Sequence, residues 1–283
     1  MDSMAEINAP LTESEDLCLS SNHPGLHDAE YVRRRKMFFY FARDLRLRKL
    51  PSPCVPYTEE ESNLWSALYD RLSTLHDSHA AGIFLTGKKL LGLSRSEIPQ
   101  LPTLERLLYP RTGIRLVPAE GLLHGKSYFS YWAERIMPCT LFLRHARQPE
   151  YTPEPDIIHD VIGHVPPLMD SKYVELIRLI GTIARTASPE NLERLVRFYW
   201  FTVEFGLLDE GDRQKVLGAG ILSSIGEMQH ACDGKAEIRR FDLEEVLNTP
   251  FDPTTLQPVL FVAPSLEAII ADAHGLAARM LPV

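Results

Sequence analysis

The segment IIHDVIGH, residues 157–164, is apolar enough to be buried and is fenced by Pro153 and Pro155 on one side and Pro166 and Pro167 on the other. Proline lacks an amide hydrogen and blocks the helix behind it, so a helix confined here has room for about two turns. His159 and His164 stand five residues apart in that space. On an ideal α-helix five residues advance about 500°, which leaves the imidazoles about 140° apart. They can share one ion only where the turn is distorted or ended. Gly163 and the Pro166 and Pro167 break offer that freedom. The spacing is not that of the HExxH zinc proteases, whose histidines are four apart on one face.

The surrounding chain has 283 residues, 45% hydrophobic and 24% charged, which describes a globular protein with a core of its own. A formal net charge of -8, with no basic run longer than RRRK at 33–36, argues against a nucleic-acid-binding face. That run adjoins MFFYFARDL and reads as the solvated edge of a helix. Cys18, Cys54, Cys139 and Cys232 show no paired spacing, so neither a metal knuckle nor a disulfide framework is expected. No apolar stretch reaches the roughly 18 residues of a membrane span. The acidic start, MDSMAEINAPLTESEDLCLSS, is unlike a signal peptide. These features predict a cytoplasmic protein with no nucleic-acid or membrane partner, and a flexible leader over residues 1–22.

Beyond the leader, helical periodicity dominates. It runs through HPGLHDAEYVRRRKMFFYFARDLRL, EEESNLWSALYDRLSTLH, ERLLYPRT, KSYFSYWAERI, SKYVELIRLIGTIARTA, PENLERLVRFYWFTVEFGLL and SLEAIIADAHGLAARM. Ser188 before Pro189 is a good helix start, an N-cap hydroxyl followed by proline at the first helical position. Strand-like pieces are short (GIRLVPA, TLFLR and PVLFVA) and too few for a parallel sheet. GAGILSSIG lacks the lysine and spacing of a phosphate-binding loop. The chain reads as mainly α with a few short β-strands, an α+β fold in a single domain over 23–283.

Glu204 lies in FYWFTVEFGLL, where an unpaired carboxylate would cost several kcal/mol. A divalent cation shared with His159 and His164 would neutralise it. Two neutral imidazoles and one carboxylate on one face make a triad that leaves positions open for oxygen and substrate on iron(II). Two other readings stay open. The histidines could be satisfied by hydrogen bonds in a core, or the same ligands could hold a zinc-bound water for hydrolysis.

TPEPDIIHDVIGHVP, YWFTVEFG and GAGILSSIGE resemble, in order, the signature segments of the tetrahydropterin-dependent aromatic amino acid hydroxylases, the bacterial phenylalanine hydroxylases most of all. The likeness runs from HPG at 23–25 through TGIRLVPAEGLL to LQPVLFVA. It implies that His159, His164 and Glu204 bind Fe(II) at the catalytic centre, and that Arg144 holds the substrate carboxylate with Thr152 and Ser223 beside it. Pro155, Trp200 and Phe205 would face the substrate ring. Gly121, Leu122, Leu123, Tyr128 and Asp160 would bind tetrahydrobiopterin or a related pterin. Tyr128 stands where the family often has Phe, and Asp160 where many relatives have Glu, one methylene longer. Glu154 and Glu227 are further family acids near the site.

What the resemblance implies is a bare catalytic domain, a monomer or weak dimer, that uses O2 to hydroxylate L-phenylalanine at the para position. Meta-hydroxylation, or tyrosine as substrate, is the alternative within the family. A binding protein that kept the fold without the chemistry is the alternative outside it.

Overall fold

The computed structural model describes residues 19, 23–121, 123, 125–150, 152, 154–211 and 213–281. Apart from Leu19, the leader expected at 1–22 lies outside the described residues. Every helical segment expected from periodicity is present, and local chemistry sets the ends. Helix α1 (Ala29–Arg48) starts where the Asp28 side chain accepts from the N–H groups of Glu30 and Tyr31. Helix α2 (Glu59–His79) opens with a reciprocal capping box between Thr58 and Glu61. Helix α3 (Gly82–Leu90) follows at once, too short for its periodicity to stand out in sequence. Helix α4 (Leu101–Thr112) stops at Gly113, whose φ of 71° suits glycine.

Strand β1 (Arg115–Pro118), helix α5 (Gly125–Ala133) and strand β2 (Ile136–Cys139) come next, the helix ending before Arg135 rather than running through KSYFSYWAERI. Two ligand-bearing turns then appear, π1 (Ile158–His164) and, after helices α6 (Ser171–Thr186) and α7 (Pro189–Tyr199), π2 (Trp200–Glu204). Ser188 caps α7 as expected, accepting from Asn191 N–H. The chain continues through β3 (Leu207–Asp209), β4 (Gln214–Val216), α8 (Ala219–Leu222), α9 (Ile225–Cys232), β5 (Glu237–Arg240), α10 (Leu243–Asn248), β6 (Val259–Ala263) and α11 (Leu266–Met280). Helix α6 is the central strut, packed on α5 and on α11. Its buried face, from Tyr173 to Ala184, supplies much of the core.

Three sequence expectations are corrected. The strands are few, yet their pairing is largely parallel: β1 with β2, β3 with β6, and β5 with β6, while β3 and β4 are antiparallel. TLFLR is not a strand, because side chains take the backbone groups a ladder would use. Asp160 accepts from Thr140 N–H, Asp156 from Arg144 N–H, and the Leu141 and Leu143 carbonyls accept from the hydroxyls of Tyr57 and Tyr31. The RRRK run is not all solvated edge either. Arg35 is buried, forked to Glu154 and lying over the Phe142 ring at 3.3 Å.

Cys54, Cys139 and Cys232 are free thiols, in line with their unpaired spacing. Among the described residues, no helix is long and apolar enough to cross a membrane.

Gly218 lies where β4 turns into α8, and a Cβ there would sit 2.3 Å from the Glu204 carbonyl oxygen. Gly275, inside α11, has nothing within 4 Å of that position. Gly218→Ala should lower stability by about 1–3 kcal/mol by overpacking. Gly275→Ala should raise it by about 0.5–1 kcal/mol through helix propensity. Opposite shifts in melting temperature by calorimetry would bear this out; an unchanged Gly218→Ala would mean the close approach is not real.

Candidate metal centre

The angle that separates His159 from His164 on an α-helix is removed by π1. Its backbone closes five-residue hydrogen bonds, as from Val165 N–H to the Asp160 carbonyl at 3.1 Å, so residues five apart fall about one turn apart on the same face. The two Nε2 atoms are 3.1 Å apart. Glu204 reaches the same point from π2, where Phe205 N–H bonds the Trp200 carbonyl at 2.7 Å. Its Oε1 is 3.1 Å from His164 Nε2 and its Oε2 is 3.7 Å from His159 Nε2. All the donor atoms lie within 4.8 Å of one another. Neighbouring ligands about 2.1 Å from a common ion are roughly 3 Å apart, so the three residues fit a divalent cation. Gly163 contributes differently from expectation. It lets α8 approach, since a Cβ would stand 2.7 Å from the Ala219 carbonyl oxygen.

Burial brings the His159 pKa down to about 4, against the pull of Glu204. Burial also disfavours charge on His164, but Glu204 outweighs it and leaves that pKa above the usual value. For Glu204, burial would favour the acid, and the two imidazoles hold it ionised instead. Two imidazoles, one of them held neutral by burial, and an ionised carboxylate at one buried point are a donor set suited to a cation.

Several residues hold the ligands in place. Ser223 Oγ lies 3.0 Å from His159 Nδ1, so with Nε2 facing the ion the Nδ1 proton is donated to Ser223. Asp156 accepts from His159 N–H at 3.0 Å, and the Tyr199 hydroxyl donates to Glu204 Oε1. Neither Asp156 nor Tyr199 was singled out from sequence. Asp156 carried the same signal as Glu204, an acid beside an apolar run, but inside a motif already read for its histidines.

A cavity of about 500 Å³ opens on the centre. Arg144, Thr152, Pro155, His159, Asp160, Trp200, Glu204, Phe205 and Ser223 line it, with Gly121, Leu123 and Tyr128 farther along. Leu122 lies outside the described residues. Apart from His164, which stands behind the wall, and Leu122, the site residues expected from sequence therefore meet in one space, with changes of duty. Arg144 spends Nε and Nη2 on Asp156, at 2.9 and 2.7 Å, while Nη1 reaches only the Pro149 carbonyl at 3.4 Å. Ser223 touches His159, and Thr152 donates to the Glu154 carbonyl at 2.9 Å. Trp200 is fixed by stacking on Phe251 at 4.1 Å and by its Nε1–H bond to Gln257. Those two partners lie about fifty residues on, with no local signal to mark them.

The Glu227 carboxylate also lines the cavity with Oε2 unpartnered, and burial pushes its pKa up to about 7. Asp160 is likewise raised to about 7 by burial, although Thr140 donates to it twice. The Tyr128 and Phe129 rings and the Asp160 carboxylate on the cavity wall fit a flat heterocycle with N–H donors.

Known proteins are similar to this chain in sequence and fold. Residues 3–281 match the family described as biopterin-dependent aromatic amino acid hydroxylase. Phenylalanine-4-hydroxylase of Rattus norvegicus is 39% identical over 251 residues, covering 87% of this chain and 55% of that protein. Tyrosine 3-monooxygenase of Homo sapiens is 40% identical over 251 residues, covering 87% of this chain and 47% of that one. The chain thus spans about half the length of these curated relatives. A crystal structure of Chromobacterium violaceum phenylalanine hydroxylase with bound iron(III) and 7,8-dihydrobiopterin superposes with a TM-score of 0.75 at 33% identity, covering 81% of this chain and 85% of that one. The chain belongs to the biopterin-dependent aromatic amino acid hydroxylase family.

His159→Ala, His164→Ala and Glu204→Ala should each lose most bound iron in elemental analysis while keeping a native circular-dichroism spectrum. Full occupancy in one of them would remove that residue from the ligand set. Glu227 offers a separate check. Its folded pKa of about 7 lies above its unfolded value, so the native state binds the extra proton and stability falls as pH rises through that window. Glu227→Gln abolishes the dependence. Relative to wild type, the variant should gain on the order of 3 kcal/mol between pH 4 and pH 7 in urea unfolding. A difference that is flat with pH would show that Glu227 does not titrate there.

Proposed function

We propose that this protein is an iron(II)- and tetrahydropterin-dependent monooxygenase that hydroxylates the ring of L-phenylalanine at the para position, giving L-tyrosine. The observation that carries the proposal is one cavity that His159 and Glu204 of the three-residue cluster line together with an aromatic wall and a buried arginine, His164 standing directly behind them. When bound, iron and the reduced pterin activate dioxygen and supply oxidising power that no side chain here has.

The residues of this chain orient and enclose the substrate. Asp156 occupies the Nε side of the Arg144 guanidinium, so the Nη1 and Nη2 edge is the one offered to a substrate carboxylate. Arg144 is almost fully buried, and a charge pair formed there is little screened by water. Pro155, Trp200 and Phe205 give the ring an apolar wall beside His159. An amino acid held at its carboxylate end presents the far edge of its ring, the para carbon, toward the ligands. Trp200 has no freedom to withdraw, being stacked on Phe251 and bonded to Gln257, which favours a single benzene ring over an indole. Tyr128, packed edge-on to Tyr199 at 6.3 Å, offers the pterin an aromatic surface.

Anaerobic protein loaded with iron(II), tetrahydropterin and L-phenylalanine, then given oxygen, should yield L-tyrosine by chromatography and mass spectrometry. Absence of hydroxylated phenylalanine, or equal formation without pterin, would refute the proposal. Meta-tyrosine would refute only the ring orientation, and faster turnover of L-tyrosine would reassign the substrate. Arg144→Lys, which cannot serve Asp156 and a carboxylate together, should raise the KM for phenylalanine about tenfold or more.

A further inference from the structure

His76, on α2, is fully buried and stands outside the cluster of His159, His164 and Glu204. Its Nε2 is 2.7 Å from the Leu222 carbonyl, its Nδ1 is 3.2 Å from Lys88 Nζ, and its ring meets Phe84 edge to face at 4.7 Å. The partners dictate the tautomer. An ammonium only donates and a carbonyl only accepts, so Nδ1 presents its lone pair and Nε2 carries the hydrogen. Burial and the Lys88 charge bring the ring's pKa down to about 3, which keeps it neutral. Lys88 is held by Ser73 Oγ at 2.8 Å and lies over the Tyr69 ring at 4.7 Å. It has no carboxylate at ion-pair distance among the described residues.

Leu222 ends α8, and the next residue is Ser223. The oxygen that His76 holds belongs to the peptide plane that carries the Ser223 nitrogen, and that plane is rigid. On the far side of it, the Ser223 hydroxyl lies 3.0 Å from His159 Nδ1. We propose that His76, kept in one tautomer by Lys88, is a positioning residue for the metal centre: it anchors the Leu222 carbonyl so that Ser223 fixes the ring of His159. Neither His76 nor Lys88 lines the cavity or belongs to the cluster of His159, His164 and Glu204.

The proposal rests on reading His159, His164 and Glu204 as cation ligands, and its test separates the two ideas. Metal-free full-length protein is titrated with Co(II), read by visible absorption and chelator competition. Wild type should bind one equivalent. His76→Phe keeps the ring packed on Phe84 but loses the donor, and should weaken Co(II) binding about tenfold and shift its absorption band. His76→Gln, whose amide can still donate to Leu222, should recover affinity to within about threefold of wild type. Lys88→Met keeps the aliphatic stem over Tyr69 and frees the tautomer, so it should keep its melting temperature yet bind Co(II) at least about threefold more weakly. Leu72→Ala, one turn away on α2, should destabilise the fold without altering affinity. If Leu72→Ala weakens Co(II) as much as His76→Phe, or His76→Phe stays within about twofold of wild type, the positioning role is wrong. Should His76→Phe fail to fold, unchanged affinity in Lys88→Met defeats the role by itself. Failure of wild type to bind Co(II) would overturn the cation reading and this role with it.

Discussion

Asp156 has no exposed surface and accepts hydrogen bonds from Arg144 N, Nε and Nη2 and from His159 N. One carboxylate thereby joins the arginine proposed to meet the substrate to the first turn of the segment that carries two metal ligands. Burial alone would neutralise it, and the Arg144 charge holds it ionised instead. Breaking such a buried pair by removing one partner costs about 3–5 kcal/mol. The same contacts explain why 140–144 is extended yet pairs with no strand. The amides of Thr140 and Arg144 and the carbonyls of Leu141 and Leu143 are engaged by side chains, and the Phe142 carbonyl by Ile157 N–H.

The ligands themselves depend on two π-turns. A five-residue hydrogen-bond step is less favourable than the α-helical one, and here it occurs in the two places where a ligand must be aimed. Close backbone approaches surround both turns. Gly163 admits α8 beside π1, and Gly218 sits against the carbonyl of Glu204. The geometry is imposed by packing from outside, and small residues make the approach possible.

Relatives named for phenylalanine and for tyrosine are equally similar to this chain, at 39% and 40% identity. The metal ligands and the arginine cannot carry that distinction, since both kinds of substrate share the amino acid end. Under the proposed function the distinction would fall on the wall formed by Trp200, Phe205 and Phe251, in which the Trp200 ring stacks on Phe251 at 4.1 Å and lies tilted 4.5 Å from Phe205. The metal cluster is built on π1 and π2, and the aromatic wall on side chains gathered from distant parts of the chain.

The sequence by itself determined the longer helices, because periodicity and caps act within a few residues: the Asp28, Thr58 and Ser188 caps all form as their local chemistry requires, while the short α3, α8, α9 and α10 left no such mark. It also marked His159, His164 and Glu204, since histidines between prolines and an acid in an aromatic helix conflict with their surroundings unless something satisfies them. What only the tertiary structure decided was everything that joins residues distant in the chain. Arg35 looked solvated until Glu154 and Phe142 covered it, and TLFLR looked like a strand until Asp156 and Asp160 took its amides. The parallel pairing of the short strands and the support of Trp200 by Phe251 and Gln257 are of the same kind. A hydrogen bond or a ring contact across fifty residues leaves no mark on local pattern, because its energy exists only once the chain has folded back on itself.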